Sequence, residues 1–104
     1  MIIRIGRNEK NDIVLENQTV SREHATIEVG EGRIVITDLG NKSGTYLAVG
    51  DKLRRATYHE VAEDDIVLFG SERRRVGDLI RQVAEKNREA VYRRNPLTGE
   101  IVKE

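Results

Sequence analysis

The apolar residues of this 104-residue chain come in short runs that alternate with polar ones, and turn-forming residues separate the runs. Ile3 and Ile5 flank Arg4; Ala25, Ile27 and Val29 are interleaved with Thr26 and Glu28; Ile34 and Ile36 are interleaved with Val35 and Thr37. A period of two sends successive side chains to opposite faces, so each run reads as a strand with one face buried. Gly30-Glu31-Gly32 joins two of these runs over a distance short enough for a tight hairpin. Further strands are predicted at Thr45-Tyr46-Leu47, at Ile66-Val67-Leu68-Phe69 before Gly70, and at Arg73-Arg74-Arg75-Val76 as a last edge. The stretch from Asp51 to Val61 is less regular and holds one or two more. Closely spaced turns and a single proline predict an all-β, mostly antiparallel sandwich over residues 1–76.

Residues 78–92 change period. Leu79, Ile80, Val83, Ala84, Ala90 and Val91 share one helical face with the polar Asn87, Asp78 is placed to cap the first turn, and Arg81, Glu85, Arg88 and Glu89 face outward. The chain is therefore divided into a sandwich, 1–76, and a C-terminal helix with its tail, 77–104. In that tail Asn95-Pro96-Leu97-Thr98-Gly99 carries turn chemistry, and Glu100 to Glu104 reads as a frayed end or a short strand.

Composition narrows the function. A chain of this length is one domain by size. Lys+Arg and Asp+Glu both number 18, so no general field draws the protein to a polyanion. The first 76 residues carry 12 basic and 13 acidic residues and the remainder 6 and 5, which is not the basic excess of a nucleic-acid-binding domain. Arg73-Arg74-Arg75 on an edge strand has a simpler use, since like charges deter edge-to-edge pairing. There is no cysteine, hence neither a disulfide framework nor a thiolate metal site. The start Met1-Ile2-Ile3-Arg4 lacks a signal-peptide pattern and no run reaches membrane-spanning length, so a cytoplasmic protein without membrane contact is expected.

No metal, cofactor or catalytic set is expected either. Ser21 and His24 are of the right types for nucleophile and base, but three residues across a loop do not aim one at the other and no third group orients them. Asp64-Asp65 reads as a solvated turn, and His59 as an exposed strand residue. What remains is a set of small, hydroxyl and basic residues at the ends of apolar runs: Gly6-Arg7, then Ser21-Arg22-Glu23-His24, then Asp38 through Thr45. Gathered on one rim of a sandwich, they suit a small dianion.

Five segments taken together resemble the forkhead-associated (FHA) domain over about residues 1–76. They are Ile5-Gly6-Arg7, Asn11-Asp12-Ile13-Val14-Leu15, Val20-Ser21-Arg22-Glu23-His24-Ala25, Asp38-Leu39-Gly40 leading to Ser43-Gly44-Thr45-Tyr46-Leu47, and Ala62 through Gly70. The resemblance implies an eleven-stranded antiparallel sandwich, here with a C-terminal helical extension, that binds phosphothreonine peptides across the loops at one end. Its partners would be a phosphothreonine-containing protein and the Ser/Thr protein kinase upstream of it. Carried over residue by residue, Arg7 pairs with the phosphate, Ser21 donates its hydroxyl, and Arg22 adds a second donor or covers the peptide backbone. Gly6 lets the chain turn sharply, His24 braces the Ser21 loop from beneath, and Asp38, Gly44 and Thr45 shape the next loop. Two positions depart from the family pattern, which usually has Ser or Thr at Asn41 and Asn at Ser43. Asn41 is still expected to donate to the phosphate through its amide, and Ser43 to keep one hydrogen bond to the peptide, so binding is expected to be weakened. The alternative is a phosphorylation-independent interaction or oligomerisation domain, in which Asn41 and Ser43 mark a weakened site and the 78–92 helix carries the partner or homo-oligomer surface.

Overall fold

The computed structural model describes the backbone of residues 1–94 and the side-chain surroundings of residues 1–86. Among these residues the alternating runs form nine strands: β1 (Ile2–Gly6), β2 (Ile13–Val14), β3 (Ala25–Gly30), β4 (Arg33–Asp38), β5 (Thr45–Val49), β6 (Lys52–Arg55), β7 (Tyr58–Val61), β8 (Ile66–Phe69) and β9 (Glu72–Arg75). They form two sheets, in the orders β2-β1-β3-β4-β7 and β6-β5-β8-β9. Every pairing is antiparallel except the short one of β1 with β2. The all-β sandwich therefore stands, with nine strands among the described residues rather than eleven. The irregular stretch from Asp51 supplies two of them, β6 and β7.

The core lies between the sheets. Ile3 and Ile5 of β1, Ile27 of β3 and Ile36 of β4 are fully buried with Val67 and Phe69 of β8. Each such side chain contributes about 1.5–3 kcal/mol relative to exposure. Strand β4 breaks the simple alternation. Val35 is buried although it pairs with Glu28 and Glu60 on the outer face, where Ile2 and Tyr58 line the same shallow groove.

Helix α1 (Val76–Arg94) follows β9 without a loop. Val76, expected to close the last strand, is its first residue, and Asp78 stands within the first turn instead of capping it. There its carboxylate accepts from Arg75 at 3.1 Å, pairs with Arg81 at 3.5 Å and complements the positive end of the helix dipole. Val76, Leu79 and Val83 join the same hydrophobic cluster as the two sheets, so the helix begins as a cover on the sandwich. Ala84, expected on that apolar face, is exposed, as are Arg81 and Glu85. The predicted side-chain arrangement at 87–92, the turn at 95–99 and the end at 100–104 lie outside the described residues.

Strand β9 is indeed an edge. Its arginines also hold ion pairs, Arg74 with Glu72, and Arg75 with Asp64 at 3.0 Å. At the other end of the molecule, register builds the rim. Ile5 pairs with Ala25 and Ala25 with Asp38, so the end of β1, the start of β3 and the end of β4 lie side by side. The loops at 7–12, 15–24 and 39–44 consequently reach the same rim.

Candidate functional site

Gly6 ends β1 against the backbone of the next loop. A Cβ there would overlap the carbonyl of Arg22 and lie 2.7 Å from Asn11 Nδ2. Its φ is not among the positive ones, so glycine is needed for close approach and not for the sharp turn expected of it. The two loops are then tied together. Arg7 N–H donates to Ser21 O at 2.9 Å, Asn8 N–H to Arg22 O at 3.2 Å, and Asn11 Nδ2 to the same Arg22 carbonyl at 2.7 Å. Asn11 also donates to Asn8 O at 2.9 Å. Asn11 has no role in the sequence motif that contains it beyond one signal, an amide beside a strand of isoleucine and valine, where a buried polar group must find partners.

Arg7 is exposed, yet its Nε donates to Val20 O at 2.9 Å. That bond holds the guanidinium beside Ser21 and leaves both Nη groups without a partner among the described residues. Ser21 is half-buried and Arg22 exposed, and neither side chain is hydrogen-bonded among those residues. The structure thus brings Arg7, Ser21 and Arg22 together with their donors available.

His24 sits beneath them, fully buried, with its ring edge-to-face against Phe69 at 5.9 Å between centroids. Ser21 N–H donates to Nδ1 at 3.0 Å, so Nδ1 is the acceptor and Nε2 carries the proton that it donates to Gly44 O at 2.9 Å. Burial holds the imidazole's pKa below its ordinary value near 6.5, against the opposing effects of the Gly44 carbonyl and the Asp38 charge. Both ring nitrogens are committed to backbone groups, so the ring is not available as a base for the Ser21 hydroxyl. The bracing role expected of His24 has a definite geometry. It joins the Ser21 loop to Gly44, whose φ of 86° suits glycine and whose carbonyl also accepts from Gly70 N–H at 2.9 Å.

The loop from Asp38 to Thr45 is arranged differently from expectation. Asp38 Oδ1 accepts from Gly40 N–H at 2.6 Å, from Asn41 N–H at 3.3 Å and from Asn41 Nδ2 at 3.1 Å. Asn41 Nδ2 also donates to His24 O at 3.0 Å, and its Oδ1 accepts from Gly44 N–H at 2.6 Å. The amide has no N–H left for a phosphate in this conformation, so Asn41 is placed as a brace of its own loop. Ser43 is exposed, and Thr45 is fully buried beneath the loop with its carbonyl accepting from Ala56 N–H at 2.8 Å.

Among known proteins, the family model of the FHA domain matches residues 3–70. The chain belongs to the FHA domain family. In shape it is similar to the FHA domain of the CT664 protein from Chlamydia trachomatis, with a TM-score of 0.60 at 28% identity over 70% of this chain and 71% of that one. It is similar also to Mycobacterium tuberculosis EmbR solved in complex with a low affinity phosphopeptide, with a TM-score of 0.60 at 30% identity, covering 69% of this chain and 18% of that one. In sequence it is 43% identical over 42 residues to the oxoglutarate dehydrogenase inhibitor of Corynebacterium efficiens, a stretch that is 40% of this chain and 30% of that relative's length. Within this FHA domain, no three His, Asp or Glu side chains group as for a metal ion among the described residues, and no described helix is long and apolar enough to cross a membrane.

Proposed function

We propose that this FHA domain is a phosphothreonine-dependent binding module in Ser/Thr kinase signalling, which recognises a phosphorylated partner protein in the cytoplasm and makes or breaks no covalent bond. The observation that carries this reading is the exposed Arg7 guanidinium, anchored through Nε to Val20 O beside the half-buried Ser21. Phosphothreonine brings about two negative charges and three acceptor oxygens, and a fixed guanidinium answers two of those oxygens at once. Ser21 supplies a hydroxyl, Arg22 a further donor, and Ser43 one hydrogen bond to the peptide. EmbR, similar in fold, was solved in complex with a low affinity phosphopeptide, which supports a phosphopeptide as the ligand. The binding unit is assigned to residues 1–76, with the helix that follows closing its core. Leu79 and Val83 are buried in that core, which removes them from the homo-oligomer surface of the alternative reading.

Titration calorimetry with a phosphothreonine peptide tests the proposal. Arg7→Ala loses a charge-assisted pair of about 1.5–3 kcal/mol, a loss of about ten- to a hundredfold in affinity, with the fold intact. Equal affinity of the two proteins, or equal binding of the unphosphorylated peptide, would rule it out.

A further inference from the structure

The loop that leads to Ser21 is fastened to the opposite sheet by bonds centred on the Thr19 hydroxyl. That hydroxyl donates to Asn17 Oδ1, an oxygen that only accepts, at 2.7 Å, so Ser71 Oγ, 3.0 Å away, is the donor of the bond between the two hydroxyls. Ser71 N–H donates to the same Thr19 oxygen at 2.9 Å. Asn17 Nδ2 in turn donates to Ser71 Oγ at 3.2 Å and to Glu72 Oε1 at 3.0 Å. Asn17, Thr19 and Ser71 thus close a ring of side-chain bonds between the loop and the turn from β8 to β9. The turn lies directly on the loop backbone, since a Cβ on Gly70 would come within 2.4 Å of Thr19 O.

Thr19 is followed by Val20, whose carbonyl accepts from Arg7 Nε at 2.9 Å. Val20 N–H is held as well, by Asn17 O at 2.9 Å. Arg7 is exposed, and the bond to Val20 O is its side chain's one hydrogen bond among the described residues. The direction of that carbonyl therefore sets the guanidinium, and the residues on its N-terminal side, Asn17 and Thr19, are the ones clamped to Ser71. A long side chain ordered before its ligand arrives loses less freedom on binding.

We propose that Thr19 is a positioning residue for phosphate recognition: its hydroxyl, clamped between Asn17 and Ser71, orients the Val20 carbonyl that holds Arg7. This rests on the phosphothreonine reading above. Thr19 acts through Arg7 and itself touches no part of the ligand.

The first test needs no ligand. In the proton–nitrogen NMR spectrum of the free protein, the Arg7 Nε–H signal, assigned by its loss in Arg7→Lys, exchanges with water more slowly than those of the other exposed arginines. Thr19→Val, which keeps the shape of the side chain without its hydroxyl, brings the signal to their rate, and Thr19→Ser keeps the parent's. With a phosphothreonine peptide, Thr19→Val weakens binding about two- to tenfold and Thr19→Ser binds as the parent does. In an Arg7→Lys background, which has no Nε–H for Val20 O, Thr19→Val costs less than about twofold. An Arg7 signal unchanged in Thr19→Val overturns the proposal. So does an equal loss of affinity in both backgrounds, or one that Thr19→Ser fails to restore, since the side chain then acts on the loop as a whole. If the parent protein does not distinguish the phosphorylated peptide from its unphosphorylated form, the phosphothreonine reading fails and takes the part of Thr19 in recognition with it, whereas an unchanged Arg7 signal overturns the clamp alone.

Discussion

Ser21 and Gly44 are held at opposite nitrogens of one buried ring: the Ser21 N–H lies 3.0 Å from His24 Nδ1, and the Gly44 carbonyl 2.9 Å from His24 Nε2. Neither residue is near the other in sequence, and the ring sets the distance between the two loops. His24→Ala removes both bonds and leaves a cavity against Phe69, so it should destabilise the domain by about 2–4 kcal/mol and weaken phosphopeptide binding together. Ser21→Ala, which keeps the backbone N–H, should weaken binding with little change in melting temperature. Thermal melts and calorimetry on the two variants check the contrast; a normally stable His24→Ala protein that fails to bind would make His24 a ligand contact.

The same ring makes stability depend on pH. Burial lowers the folded-state pKa of His24 below 6.5, so the unfolded chain takes up its proton first. The contribution is fully present above pH 6.5 and is lost as pH falls through the folded value. Melting temperature should decline across that window in the parent protein and stay nearly level in His24→Gln. Glu72 is held below its ordinary 4.5, first by its hydrogen bond from Asn17, and loses its contribution only in more acidic solution. The two transitions are therefore separable.

Gly6→Ala should destabilise the domain by about 2 kcal/mol or more and disturb binding, because the added methyl meets the Arg22 carbonyl and the Asn11 amide that tie the two loops together. Gly30→Ala is the control, since a Cβ there meets nothing within 4 Å. Chemical denaturation of both measures the difference.

Asn41→Ala should weaken phosphopeptide binding several-fold without removing a phosphate contact, by releasing the bonds to Asp38, His24 and Gly44 that shape the loop. Ser43→Asn acts in the opposite direction. It adds a donor and an acceptor at an exposed position and should tighten binding about fivefold, the value of one hydrogen bond. Binding curves against one phosphopeptide compare the three proteins, and no gain for Ser43→Asn would mean that this loop does not meet the peptide backbone.

Strands were legible where one face is apolar and the other polar, as at Ile3-Arg4-Ile5 and Ala25 to Val29. Val35 was not, because the groove beside Ile2 and Tyr58 buries it on the face a two-sided pattern assigns to water. The helix boundary slipped for a related reason. Val76 continues the strand pattern of β9 in sequence, but burial in the core at the start of α1 decides its conformation. Ala84 followed the helical period and still lies exposed, since the apolar face meets the sandwich only through the first turns.

By itself the sequence determined the sandwich, the three loops that share its rim and the residue types available there, because alternation, glycine placement and charge are properties of neighbours in the chain. Only the tertiary structure decided which of those residues face outward. A side-chain amide can donate to a phosphate or to its own loop with equal chemistry, and Asn41 is turned inward by Asp38, the His24 carbonyl and the Gly44 N–H, groups brought around it when β3, β4 and β5 assemble. Hydrogen bonds between residues far apart in sequence leave no periodic trace, so the inward turn of Asn41 became visible only once the loops were held in place.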